Sequence, residues 1–206
     1  PRVGLVDVER VEMRLRAPAS VSAGSGYGLT TDSYAANVWA LHKDIDDQIR
    51  ANYDDPLDAE RDAAIFLTQQ AMIRRERLFA SSYFTTGIWA TDVVGGTNFA
   101  KWDDASSNPE ADVAIGRSAI LASTGMMPNT LVVSHPVHEA LKRHPVIKDR
   151  FKYTSAESIT EAMLARFFEV EQYLVSRAVF NSANEGASGT YSFAIGKNAL
   201  LCYANP

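Results

Sequence analysis

YDDPLDAERDAAIFLTQQAMIRRERLFASSYF, residues 53–84, decides how the chain is read. Asp55 is placed to cap a helix, Pro56 to take its first position and Asp58 to meet the free amides at its third. From Ala59 to Phe79 there is neither Gly nor Pro. Ala64, Leu67, Ala71 and Leu78 recur at helical spacing, and Ile65, Met72 and Phe79 form a second, adjoining apolar row. The spacing predicts one helix from Tyr53 to Phe84 with two faces to be covered, packed through Leu67, Ala71, Met72, Leu78 and Phe79. At about 1.5 Å per residue it is roughly 40 Å long, enough to act as a spine.

Outward from this helix, composition narrows the classes. The 206 residues are 46% hydrophobic, enough for a substantial core in one elaborated domain or two small ones. A net charge of −5 supplies no overall basic field for gripping nucleic acid. Cys202 is the single cysteine, which excludes an internal disulfide framework and a thiolate-only metal cage. No apolar run approaches the ~18 residues of a membrane span, and no secretory signal is visible at the start.

Before the spine, residues 10–16 (RVEMRLR) alternate strictly, with Val11, Met13 and Leu15 on one side. A stretch rich in Gly and Ser follows, and strand character resumes through Tyr34, Val38, Trp39 and Leu41. The pair reads as a long hairpin arm, which on its own is marginal in water and must lie on something else. GSGYG, residues 24–28, reads as its tip rather than a phosphate loop, because no helix follows the glycines.

After the spine, Gly87, Gly95 and Gly96 break regularity. Asn108–Pro109 with Glu110 and Asp112 opens a helix that stops at Gly125. Thr130 to Val133 is a short buried strand. HPVHEALKRHP is a helix closed by Pro145, and SITEAMLARFF is another, capped by a Ser158/Glu161 box. Residues 170–180 read as one strand, and TYSFAIG and ALLCY supply two more. The fold class is α+β, with this last region a mixed α/β subdomain.

Four groups of residues carry possible chemistry. His135, His138 and His144 cluster in sequence, and a small zinc hydrolase using His135, His138 and an acidic residue is one reading. Lys142 stands where the zinc-protease pattern needs its second histidine, and the plainer reading is a helix with imidazoles at its ends. Trp102–Asp103–Asp104 pairs carboxylates beside an aromatic, but adjacent residues on an extended segment diverge, so a local turn fits better. Ser134 beside His135 lacks the surrounding glycines of a nucleophile elbow. Arg74, Arg75 and Arg77 around Glu76 read as a solvated or interface face. Neither a catalytic residue nor a cofactor or metal site is assigned.

The order of pieces is more specific than any one of them. The arm, YDDPLDAERDAA entering a helix that ends RRERLFASSYF, the WDD turn, TGMMPNTLVVSHPVHEALKRHP and ITEAMLARFFEVEQYLV together resemble tailed-bacteriophage major capsid proteins of the Hong Kong 97 fold. The resemblance runs from about Val11 to Tyr203. It implies a hairpin arm (the E-loop) within residues 1–52, a spine helix in a peripheral domain over 53–97 and an axial domain over 98–206. The family's further peripheral strands are not seen in this sequence.

What the resemblance implies is assembly, not catalysis. Val11, Met13, Leu15, Tyr27, Tyr34, Val38 and Trp39 of the arm would contact neighbouring subunits. Many copies would form hexamers and pentamers of an icosahedral head, assembled in the bacterial cytoplasm with portal and scaffolding proteins and in some members a decoration protein. Packaged double-stranded DNA would be touched weakly and without sequence preference, and no membrane is involved. Encapsulin compartments share the fold and enclose enzymes instead, and a simple oligomer with swapped arms is a further alternative. If the arm bridges neighbours, deleting residues 22–31 is expected to leave a folded subunit that no longer closes a stable shell; intact particles by negative-stain microscopy would contradict this.

Overall fold

The computed structural model describes residues 15–18, 20–22, 24, 36–53, 58–89, 91–152, 158–184 and 186–205. The chain divides into two units, Pro1–Leu41 and His42–Pro206. In the first, the described residues are irregular and exposed, Leu15 and Val38 almost completely so. Leu15, Val38 and Trp39, expected in strands, lie in no strand. Val11, Met13, Tyr27 and Tyr34 fall outside the described residues, as does GSGYG beyond Gly24.

The second unit is built around one strand. β1 (Thr130–Ser134, TLVVS) is buried at all five positions. It pairs in parallel with β2 (Gln172–Ser176), Leu131 opposite Tyr173, and antiparallel with β5 (Ala199–Cys202), Leu131 opposite Leu201. The sheet order is β2-β1-β5. A strand rich in β-branched and leucine side chains with partners on both edges can satisfy its backbone and hide both faces. Leu131 and Val133 point to one face, where Val113, Leu141, Ile147, Leu164 and Phe168 cover them. Val132 points to the other, against Ala80 and Ile195 with Phe79, Phe84 and Leu200 alongside. Each fully buried Leu or Ile contributes roughly 1.5–3 kcal/mol, so the helix-covered face holds most of the stability.

Four helices supply that cover. α3 (Pro109–Thr124) is bounded as its sequence dictates: the Asn108 side chain accepts from the Ala111 amide, Pro109 takes the first turn, and Gly125 ends it at φ 66°. At Gly116 a Cβ would stand 3.3 Å from Leu201 Cδ2, so the missing side chain lets α3 lie close on β5. α4 (His135–Arg143) buries His138 and Leu141. Pro145 does more than close it. His144 is extended, as a residue before proline prefers, and Pro145 then opens α5 (Pro145–Phe151), a helix absent from the sequence reading. α6 (Glu161–Phe167) is capped by Thr160, which accepts from the Met163 amide, and not by Ser158. Glu161 is therefore the first helical residue, and its carboxylate pairs with Arg177 instead of reaching back.

Residues 170–180 are two strands, not one. β1 ends at Ser134, opposite Ser176, because α4 begins at His135, so beyond Ser176 the strand has no partner on that edge. The chain leaves the sheet there, and β3 (Val179–Asn181) pairs instead with β4 (Tyr191–Phe193).

The long helix differs most from expectation. α2 is Ala59–Tyr83, preceded by the short α1 (Asp47–Ala51). Its cap is Asp58, whose carboxylate accepts from the Glu60 and Arg61 amides at 3.0 and 3.2 Å. Asp55 and Pro56, read as the cap and first position, lie outside the described residues, and Tyr53 is irregular. Only Ala63 and Ala80 are buried along its 25 residues. Leu67 and Phe79 are half-buried, while Ala64, Ile65, Ala71, Met72 and Leu78 are exposed. The two apolar rows are not covered by these residues because the chain packs only the C-terminal end of the helix, through Phe79, Ala80 and Phe84, onto the sheet.

After α6 the backbone reverses through Glu169 at φ 51°, a left-handed position normally taken by glycine. The Val170 amide bonds back to the Ala165 carbonyl at 3.0 Å, closing the turn, and the Glu169 carboxylate pairs with Arg117. Glu169→Gly and Glu169→Ala both delete the ion pair, but only Gly removes the backbone cost. In urea unfolding, Glu169→Gly is expected to be more stable than Glu169→Ala by about 1 kcal/mol; equal stabilities would show that the turn carries no strain.

Candidate interaction surface

The histidines go to three different places. His138 faces inward from α4, its Nδ1 3.1 Å from the Tyr173 hydroxyl and the two rings 5.7 Å apart. Burial, aided by the neighbouring charge of Glu161, pushes the Tyr173 phenol far above its ordinary range, so it keeps its proton. His144, buried between α4 and α5, brings Nε2 to 3.0 Å from Ser107 Oγ and 3.1 Å from the Asp104 carbonyl. The Ser107 hydroxyl donates to that same carbonyl at 2.8 Å, so His144 Nε2–H is the donor of the shared contact and pins the 104–107 turn to the helices. The His135 ring lies 5.7 Å from that of Phe193 and is tilted against it by 36°. His135 and His138 thus diverge, and among the described residues no three His, Cys, Asp or Glu side chains converge to hold a metal ion.

The acidic pair beside Trp102 is a turn. Trp102 Nε1 donates to Asp112 on α3 at 2.9 Å, and Asp104 accepts from both the amide and the hydroxyl of Ser106. Those bonds, the backbone one first, hold the Asp104 carboxyl below its usual range. Ser134 is fully buried without serving as a cap, since Pro136 removes one of the amides it would bind. Burial raises the Cys202 thiol above its ordinary range, which favours its protonated form.

What the fold does present is apolar surface. α2 spans about 37 Å, and Ile65, Phe66, Met72, Leu78 and Tyr83 are all more than a third exposed, Met72 at 63%. A helix of mixed composition gains most of its stability from packing an apolar face. Among the described residues its N-terminal part buries Ala63, Arg50 pairs with Glu60 at 2.7 Å, and the Lys43 ammonium lies 5.4 Å over the Phe66 ring. At the other end Arg77 lies 4.4 Å over Phe180 of β3.

The loop that follows is ordered from within and equally apolar outside. The Gly87 amide donates to Asp92 and the Trp89 indole to the Tyr83 carbonyl, while the Val94 amide donates to the Asn98 side chain. The same loop projects Ile88, Trp89, Val93 and Val94 into solvent. Exposed apolar side chains on prearranged backbone are the mark of a protein contact surface. Sequence reasoning found the helix but not this loop, whose signal was the pair IW and VV set among glycines.

No family model matches this chain. Over 149 residues it is 27% identical to a protein named major capsid protein from Burkholderia phage BcepMu, a match covering 70% of this chain and 46% of that protein. Its structure is similar, at a TM-score of 0.57 and 30% identity, to the crystal structure of a phage-related protein from Bordetella bronchiseptica, covering 70% of this chain and 47% of that one. The chain therefore spans about half the length of these relatives.

The buried histidine gives a test of the inner layer on which this surface rests. Burial lowers the His138 imidazole below its ordinary range; Glu161 and Glu139 oppose this, and Lys142 and Arg177 reinforce it. The unfolded chain then binds more protons at this site between the folded value and about 6.5. Its contribution is full above about pH 6.5 and is lost as the pH falls. His138→Gln is expected to flatten the decline in unfolding free energy between pH 6.5 and 5, by at most about 1.4 kcal/mol per pH unit. An unchanged pH profile in chemical denaturation would contradict the assignment.

Proposed function

We propose that this chain is the shell-forming part of a tailed-phage major capsid protein of the Hong Kong 97 type, and that its role is structural rather than catalytic. The observation that carries the reading is the likeness to the phage BcepMu protein named major capsid protein, over 70% of this chain. The phage-related neighbour at 30% identity supports it, and so does a 25-residue helix with only two buried positions. A chain that leaves such a helix uncovered has its cover elsewhere, and copies of the same subunit are the simplest source.

In this reading residues 1–52 include the arm, 53–97 the spine of a peripheral domain and 98–206 the axial domain around each capsomer centre. The arm residues Val11, Met13, Leu15, Tyr27, Tyr34, Val38 and Trp39 contact a neighbouring subunit, and Leu67, Ala71, Met72, Leu78 and Phe79 of the helix bear on adjacent copies. Hexamers and pentamers close into an icosahedral head around scaffold, with a portal at one vertex and in some heads a decoration protein on the outside. Each contact is weak, and the several contacts per subunit compound by effective concentration. The net charge of −5 fits a wall that contains DNA without gripping it. The assembled protein resides in the virion after assembly in the host cytoplasm.

The experiment is to express the full-length parent chain, alone and with its scaffold, and to measure size by light scattering and negative-stain microscopy. Closed shells or capsomer rings are expected, and a monodisperse monomer or dimer in both cases would overturn the proposal. Met72→Asp separates folding from assembly. Its side chain already meets water in the single chain, so stability should change by less than about 0.5 kcal/mol, while shells should be lost.

A further inference from the structure

The outward face of α3 has no free charge. The face is centred on Ile115, Ala119 and Ala122, at helical spacing, and continues past Gly125 into Met126. Ile115 is 69% exposed, the most exposed large apolar side chain of this helix. The helix carries three charged residues, and each is used on the inner side or at the edge. Glu110 pairs with Arg150 at 2.7 Å, Asp112 accepts from the Trp102 indole, and Arg117 pairs with Glu169.

The hydroxyls of Ser118, Ser123 and Thr124 are exposed, but each is bonded to the helix's own backbone. Ser118 donates to the Ala114 carbonyl at 3.0 Å, and Ser123 and Thr124 donate to the Ile120 carbonyl at 3.1 and 2.7 Å. Their protons satisfy the helix itself and ask nothing of water. An exposed helix surface normally carries charge on its polar side. This one resembles a face that is dry in use.

We infer that this face packs against a second copy of the chain, a contact that rests on the shell reading and adds a named surface to it. Charge points to a like copy as occupant. Every copy carries −5, so two copies approach with least repulsion where neither presents a charge, whereas a basic partner would be drawn to acidic surface that is missing here. Size fits as well. A strip about 24 Å long and about 10 Å wide is far below the ~800 Å² that a standard interface takes from each partner. It cannot hold an isolated pair, and it serves only where each copy touches several neighbours at once.

The test uses the full-length chain with p-benzoylphenylalanine in place of Ala119, irradiated under assembly conditions and mapped by mass spectrometry, beside an Ala119→Arg variant. Cross-links from position 119 to another copy are expected. So is a fall of at least about tenfold in particle yield for Ala119→Arg, which would bury an unpaired cation, with the circular dichroism melting curve unchanged. Shells from the unmodified chain together with cross-links only inside one chain, or with wild-type particle yield from Ala119→Arg, would overturn this contact and leave the shell reading standing. Failure of the unmodified chain to assemble even with scaffold would remove both.

Discussion

The structure depends on hiding both faces of β1. Five consecutive buried residues, TLVVS, cannot be covered by one layer, and the two solutions on either side are unequal. One face receives four helices and the largest buried side chains. The other receives the last turns of α2, with Phe79, Ala80 and Phe84, and the segment around Ile195. Every later feature follows from that inequality. The well-covered face is a self-sufficient core, and the thin one leaves most of a long helix unaccounted for within the chain.

Hydrogen bonding reinforces the strand where packing ends. Asn129, just before β1, accepts the Glu171 and Gln172 amides on its carbonyl and exchanges two side-chain bonds with the backbone of Ala204, at 2.8 and 2.9 Å. One residue thus ties the start of β2 to the end of β5. The buried polar groups act likewise: His138 with Tyr173 fixes α4 on the sheet, and His144 with Ser107 fixes the 104–107 turn on the helices.

Elements closed by local signals were legible. Asn108, Pro109 and Gly125 bound α3 through backbone geometry that no distant contact alters, and TLVVS could only be an inner strand. Tertiary decisions were not legible. The break at Arg177 reflects where the partner strand β1 ends, and α5 depends on Pro145 opening a helix as well as closing one. The start of α2 at Ala59 and the cap at Thr160 are choices between neighbouring residues of similar capping power. For the candidate surface, spacing identified apolar rows on α2 but could not tell a row buried inside the chain from one left for another molecule, because both obey the same periodicity. The exposed loop after α2 had no periodicity to read.

The strand order also sets a schedule. β1 comes first in sequence, yet its partners follow it by about 40 and about 70 residues, with Thr130 opposite Gln172 and Cys202. At roughly 5–20 residues per second of synthesis, an unpaired strand with the apolar centre Leu131–Val133 waits on the order of 4–14 s before its second edge emerges. During that time it is the part of the nascent chain most prone to pair wrongly with its counterpart on a neighbouring ribosome. A protein made in many copies at once would meet that hazard most acutely, because each unpaired strand then has many like strands nearby.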